Sequence, residues 1–278
     1  RYATPLLPKL TADDGQINFD SSELLEPGFK VLHAQDLDVR SSCATWVKCL
    51  TQIRDWSDAN PTHIPLLIMF NAKEGGSSYP GTIDALRFTP QAYDQLEAEI
   101  LSVFPITRII TPDEVRRGRA TLREAVLEMG WPSLDESFGR VFFALDEGKE
   151  KVELYLGGND SAQGKLIFPN SVSETAEHAA YFTLNSPVRD QVRIKEAVSA
   201  GFIVRTRADA NTLEARENNT EPRDAAFRSG AQYISTDYYV PREEFSDYSV
   251  RLPGGYAARC TPVKRSLGGS QCLELSSD

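Results

Sequence analysis

The chain has 278 residues, 41% hydrophobic and 25% charged, with 30 basic against 40 acidic side chains and a formal net charge of -10. These globular proportions exclude a disordered chain or a coiled coil. No apolar run approaches the ~20 residues of a membrane span, and the acidic balance argues against a nucleic-acid partner. The length suits one (β/α)8 barrel, which takes about 250 residues, or two smaller domains.

Residues 1–28 read as loop, punctuated by Pro5, Pro8, Gly15, Pro27 and Gly28. A short β-like run at 29–33 precedes a helix over about 43–59, where Trp46, Val47, Leu50, Ile53 and Trp56 recur at helical spacing. The continuous apolar run 64–70 reads as a strand buried on both faces. Thr89-Pro90 opens a second helix, and Thr111-Pro112 and Thr121 open shorter ones. Strands are expected at 140–146, 165–168, 181–184, 202–207 and 232–236, with helices at 188–200 and 211–229. Strand–helix alternation with short connections predicts a parallel sheet with helices outside. About six core strands are legible, two βα units short of a closed barrel. An open doubly-wound sheet is the alternative, but the sequence has neither a G-x-G-x-x-G nor a Walker A loop.

Four cysteines, Cys43, Cys49, Cys260 and Cys272, allow three pairings. Short loops favour Cys43–Cys49 and Cys260–Cys272, the latter stapling a tail over 241–278. Asn159 and Asn218 head glycosylation sequons. Together these point to a secreted, extracellular protein. The chain opens on Arg1 rather than Met, as expected after cleavage or of a cut-down sequence.

In a parallel barrel the chemistry sits at the C-terminal strand ends. That rule selects His33, followed by Asp36 and Asp38; Asn71, Lys73 and Glu74; Asp146 and Glu147; Arg205, Arg207 and Asp209; and Thr236, Asp237 and Tyr238. One imidazole among several cations suits phosphoryl chemistry, with histidine moving a proton and arginine holding phosphate charge. Arg205 and Arg207 share a strand face. Either they meet an anion in the barrel mouth, or they pair with carboxylates such as Asp209 and Asp237.

Several separated segments carry a family resemblance: residues 27–43 (PGFKVLHAQDLDVRSSC), 109–113 (IITPD), 121–125 (TLREA), 205–212 (RTRADANT) and 230–238 (GAQYISTDY). In this order they resemble the calcium-dependent phosphatidylinositol-specific phospholipase C family of secreted microbial proteins, over nearly the whole chain. The resemblance implies a phospholipase C-like (β/α)8 TIM barrel, of which this single-domain chain supplies about six of eight strands. It implies cleavage of an inositol phospholipid to a cyclic inositol phosphate and diacylglycerol by histidine acid–base catalysis with Ca2+ assistance. His33 would protonate the leaving glycerol oxygen. Lys73, Arg205, Arg207, Asp237 and Tyr238 would contact phosphate or inositol.

Two departures stand out. The family's early His-Asn-Ser motif and the Glu-x-Asp strand after it are absent. An N-terminal fragment about two βα units long is therefore expected as a second polypeptide. A strand that ends in a glutamate ligand in the family ends here in Asn71, which coordinates through a neutral carbonyl; Glu74 is the candidate substitute. The expected metal ligands are thus Asn71 and Glu74, with calcium affinity weakened or lost altogether. A glycerophosphodiester phosphodiesterase and a non-catalytic binding protein on the same barrel are the alternatives. A lipid substrate also implies transient membrane contact, with Tyr79 and Tyr238-Tyr239 as candidate residues.

Overall fold

The structure is a computed structural model and describes residues 22–37, 41–76 and 78–263. Helix α1 (Trp46–Ala59) opens on Thr45, whose side chain accepts from the Lys48 amide, and buries Trp46, Cys49 and Leu50. A Cys43–Cys49 disulfide ties the preceding loop to its first turn. Helix α2 (Pro90–Val103) repeats the device with Thr89 as cap and Pro90 at the first position, and buries Tyr93, Leu96, Ile100 and Val103. Threonine caps also start α3 (Pro112–Arg116) and α4 (Leu122–Glu128). Ser133 and Glu136 form a capping box on α5 (Leu134–Ser137). Each cap satisfies amides that the helix itself leaves open.

Strands β1 (Leu66–Phe70), β2 (Val141–Leu145) and β3 (Ile167–Pro169) pair in parallel. So do β4 (Tyr181–Thr183), β5 (Ile203–Arg207) and β6 (Tyr233–Ser235). A parallel bridge between Asn170 and Tyr181 joins the two sets, so six strands follow one another in chain order. The array curls on itself. The Phe142 ring of β2 lies 5.5 Å from the Tyr233 ring of β6, and the Tyr233 hydroxyl donates to the Pro65 carbonyl just before β1 at 2.8 Å. These are six strands of a barrel; among the described strands β1 pairs with β2 alone and β6 with β5 alone.

Helices α6 (Lys149–Leu156) and α7 (Gln191–Ala200) cover the outside with α1 and α2. Alternation along β2 divides the core: Val141, Phe143 and Leu145 pack toward α1, α2 and α6, and Phe142 and Ala144 face Phe168 and the interior. All five β2 residues are buried, as its unbroken apolar run requires.

Two expectations need correction. Residues 29–33 are not a strand of the sheet. Lys30 makes one antiparallel bridge to Thr45, and the Val31 amide and Phe29 carbonyl bond to Ala44 and Trp46. The segment is spent on the chain entering α1, and His33 lies in a turn beyond it. The expected helix 211–229 is two, α8 (Leu213–Glu217) and α9 (Glu221–Ser229). Asn218 between them takes a left-handed φ of 51°, and Pro222 suits the first turn of a new helix. In the tail, Tyr238, Tyr248 and Ala215 form a small core with Phe245 and Val250. Cys260 is disulfide-bonded; Cys272, its expected partner, lies outside the described residues, as does Asp38.

His178 sits between β3 and β4 with its Nδ1 3.3 Å from the Asp160 carbonyl and its buried Nε2 unpartnered. Burial pulls its imidazole below the ordinary value, opposed by the Asp160 carbonyl and charge and by Glu177. A depressed histidine leaves the unfolded chain binding the extra proton first. Thermal stability should therefore fall as pH drops below about 6.5, and His178→Gln should remove part of that slope in a pH series of melting curves. Phe143 touches Trp46 and Phe104 at ring-centroid distances of 6.3 and 6.1 Å. Phe143→Ala should cost about 3–5 kcal/mol in denaturant unfolding; a loss below about 1 kcal/mol would contradict this core.

Candidate active site

Parity along the strands separates the groups at their C-terminal ends. On β5, Val204 and Thr206 are buried, while Arg205 and Arg207 face the barrel axis. Across the register Arg205 stands beside Thr183 on one side and Tyr233 on the other, and Arg207 stands beside Ser235. The Arg205 guanidinium donates to Asn185 Oδ1 and Ser235 Oγ. Its Nε and that of Arg207 are buried and have no hydrogen-bond partner.

Of the two carboxylates expected as their partners, Asp209 is occupied elsewhere, and the Asp237 carboxylate acts on Arg205 only through its charge. Asp209 accepts from the Thr236 hydroxyl, the Asp237 amide at 3.0 Å and the Tyr248 hydroxyl at 3.3 Å. Among the described residues neither arginine forms an ion pair. Burial pulls Arg205 below its usual value. Tyr181, Asp146 and Asp237 oppose this, while the neighbouring charge of Arg207 adds to it. The Tyr181 hydroxyl, 3.0 Å from Thr183 Oγ1, is pushed up by burial, with Asp146 adding to the rise. The mouth therefore holds two guanidinium groups with open donors in a partly desolvated place. Such donors suit an anion with several acceptor oxygens.

At the end of β1 the expected residues divide. The Asn71 side-chain amide donates to the Asp146 carbonyl, which keeps Asn71 at the β1–β2 rim. Lys73 Nζ donates to the His33 carbonyl at 2.6 Å and so ties the His33 turn to this rim. The His33 side chain is exposed. Glu74 belongs to the helix side instead. Lys151 Nζ of α6 lies 3.1 Å from Glu147 and 4.0 Å from Glu74 and donates to the Ala72 carbonyl. Ala72 and Tyr93 lie in the outer core, and burial, with Glu147 and Glu74 adding, raises the Tyr93 hydroxyl.

Glu74 is thus committed to Lys151 and to the Phe88 amide. Calcium takes six to eight oxygens, and among the described residues no three His, Cys, Asp or Glu gather to hold an ion. These residues do not by themselves fit a calcium site.

Tyr238 also departs from expectation. It is buried among Tyr248 and Phe245, with its hydroxyl 3.4 Å from the Asn211 carbonyl, and so anchors the tail. Asn218 is exposed at the end of α8. Asn159 uses its side chain within its own loop, donating to the Gln163 carbonyl and accepting from the Gln163 amide. Asn185, Tyr181, Thr183 and Ser235 were not singled out in the sequence. The signal that finds them is strand pairing: each lies on, beside or across the register from the arginines.

Comparison with known proteins places this geometry. A family model described as phosphoinositide phospholipase C, Ca2+-dependent, matches residues 1–262. No curated protein matches the chain. Among solved structures, a Ca2+-dependent phosphatidylinositol-specific phospholipase C from Streptomyces antibioticus is 20% identical. That match covers 77% of this chain and 82% of its own, with a TM-score of 0.55. A calcium-dependent phosphoinositol-specific phospholipase C from a Gram-negative Pseudomonas, in apo form and myoinositol complex, is 21% identical over 58% of each chain, with a TM-score of 0.43. The Streptomyces likeness carries the barrel fold, and the family model, spanning most of the sequence and the arginine strand, carries membership: the chain belongs to the Ca2+-dependent phosphoinositide phospholipase C family.

Proposed function

We propose that this protein cleaves an inositol phospholipid at its phosphodiester, releasing a cyclic inositol phosphate and diacylglycerol. One observation carries the reading: Arg205 and Arg207 present buried, unpartnered Nε–H donors side by side in the mouth of a phosphodiesterase barrel. In the proposed step the inositol 2-hydroxyl loses its proton and its oxygen bonds to phosphorus. The bond from phosphorus to the glycerol oxygen breaks, and His33 gives that oxygen a proton. Arg205 and Arg207 hold the phosphoryl oxygens as charge gathers there, with Asn185 and Ser235 fixing the Arg205 plane. Lys73 and Asp237 stand at the same strand ends for the inositol ring.

We propose further that the barrel is closed by a βα segment on an N-terminal fragment, which also brings the general base. Support comes from the unpaired edges of β1 and β6 among the described strands and from a cavity of about 600 Å³ lined by Ile110, Trp131, Phe142, Tyr233, Ile234 and Val250. Exposed edges and apolar surface of this kind call for a cover. Export to an oxidising compartment is part of the same reading, supported by the Cys43–Cys49 disulfide and the exposed sequon at Asn218. A binding protein that kept the fold is the second reading, favoured by Asn71 and by the lack of a three-ligand cluster among the described residues.

Calorimetric titration with myo-inositol 1-phosphate tests the site. Arg205→Met and Arg207→Met should each weaken binding about tenfold or more, given about 1.5–3 kcal/mol for a hydrogen bond to a charged group; unchanged affinity in both would refute the assignment. Phosphorus NMR of products from the intact particle separates the two readings. Cyclic inositol phosphate supports the lyase, and binding without turnover supports the binding protein. Sequencing every polypeptide in that particle should reveal a histidine-bearing fragment; an active preparation of this chain alone would exclude it.

A further inference from the structure

Two carboxylates are buried among the described residues, Asp36 and Asp209, and their surroundings differ. Asp209 accepts from Thr236, Asp237 and Tyr248. Asp36, 1% exposed, accepts from a single donor: its Oδ2 takes the Ile83 amide at 2.8 Å. Its Oδ1 is buried with no hydrogen-bond partner among the described residues. Its backbone is also left-handed, with a φ of 65°, a region that residues other than glycine enter against steric resistance. An open buried acceptor and a strained backbone at one residue do not serve stability. Such positions persist where they set a functional group.

The nearest functional group along the chain is His33. Residues 29–33 bond to the entry of α1 rather than to the sheet, so no strand ladder holds the turn that follows. Side chains hold it instead, and all of them reach the segment after β1. Lys73 Nζ donates to the His33 carbonyl at 2.6 Å. Gln35 Nε2 donates to the Ile83 carbonyl at 2.9 Å, and Asp36 takes the Ile83 amide, so both backbone groups of Ile83 are gripped. The receiving loop is itself closed at its base, where the Ala85 amide donates to the Gly75 carbonyl at 2.8 Å in an antiparallel bridge. Lys73 and Gly75 follow closely on the end of β1 at Phe70, so these contacts reference the His33 turn to the barrel rim.

We infer that Asp36 is a positioning residue for His33: its carboxylate pins the His33 turn to the loop after β1 and so fixes where the imidazole meets the leaving oxygen. The inference rests on the reading of His33 as the group that protonates that oxygen. A general acid acts only within hydrogen-bond reach of the atom it protonates, and a misplacement of about 1 Å lowers a rate on the order of a hundredfold. An exposed histidine on a turn outside the sheet has that freedom unless the turn is clamped. Asp36 acts on the proton transfer through His33 and has no part in holding the phosphate, which belongs to Arg205 and Arg207. Its removal should therefore slow leaving-group departure and spare binding.

The test compares two soluble esters of myo-inositol 1-phosphate in the intact particle. A butyl ester departs as an alkoxide that needs a proton; a 4-nitrophenyl ester departs as a stable phenolate that does not. Asp36→Ala should lower kcat for the butyl ester about tenfold or more while 4-nitrophenyl cleavage stays within about threefold of wild type. KM and the affinity for myo-inositol 1-phosphate should stay within about twofold, because the phosphate donors are untouched. Asp36→Asn keeps an oxygen for the Ile83 amide and should restore most of the butyl ester rate. Gln35→Ala removes only the exposed half of the grip and should show the same leaving-group pattern more weakly; with Asp36→Asn it carries the test if Asp36→Ala does not fold. Equal losses on the two esters, weakened phosphate binding, Asp36→Asn as slow as Asp36→Ala, or no leaving-group pattern in Gln35→Ala overturns the inference. His33→Ala separates it from the reading beneath. If His33→Ala shows the leaving-group pattern and Asp36→Ala does not, positioning fails and the general acid stands. If His33→Ala cleaves the butyl ester at the wild-type rate, the general-acid reading falls and the inference with it.

Discussion

A strand that lies between a layer of helices and a barrel interior has no side left for water, and β2 lives under that constraint. Val141, Phe143 and Leu145 fill the space beneath α1, α2 and α6, while Phe142 and Ala144 fill the interior with Phe168. Every backbone group of such a strand must find its partner in a neighbouring strand. β1 and β3 supply most of those partners in parallel register, and the Ile110 amide takes the Val141 carbonyl at 2.8 Å. Parallel neighbours in turn force long crossovers, and these become the helices outside. The same geometry sets all the strand C-termini at one end, which is why residues as distant in sequence as Asn71, Asp146, Arg205 and Ser235 share one rim.

At that rim the charges fall into two layers. On the helix side, Lys151 gathers Glu147, Glu74 and the Ala72 carbonyl around one ammonium group, a cluster that satisfies itself. On the axis side, Arg205 and Arg207 retain open donors, and Asp209 is saturated by Thr236, Asp237 and Tyr248. A buried cation with unmet donors is costly. A fold keeps such a cost where a ligand repays it, and phosphate oxygens are the matching acceptors.

The helices were legible because their boundaries are written in local chemistry: Thr89, Thr111 and Thr121 each cap the element expected of them, while the first helix, expected from about 43, starts after its Thr45 cap. The strands were legible because their apolar runs are short and continuous. The run at 29–33 looks the same in sequence, but its hydrogen bonds go to Ala44 and Trp46, a choice made by tertiary contact. The mouth was half legible. Strand-end position and parity found Arg205, Arg207, Asn71 and Lys73. They could not show that Glu74 turns toward Lys151, or that Tyr238 turns into the tail core with Tyr248, because chain direction beyond a strand end is set by loops. Asn185, Tyr181, Thr183 and Ser235 become visible through strand register, which a single sequence does not state.

The central claim is that the two β5 arginines form a phosphate site, and a crystal structure of the protein soaked with myo-inositol 1-phosphate tests it most directly. The phosphate oxygens should lie within hydrogen-bond distance of both guanidinium groups, with the Nε atoms of Arg205 and Arg207 now partnered. Phosphate bound away from β5, or a mouth that stays empty under saturating ligand, would contradict it.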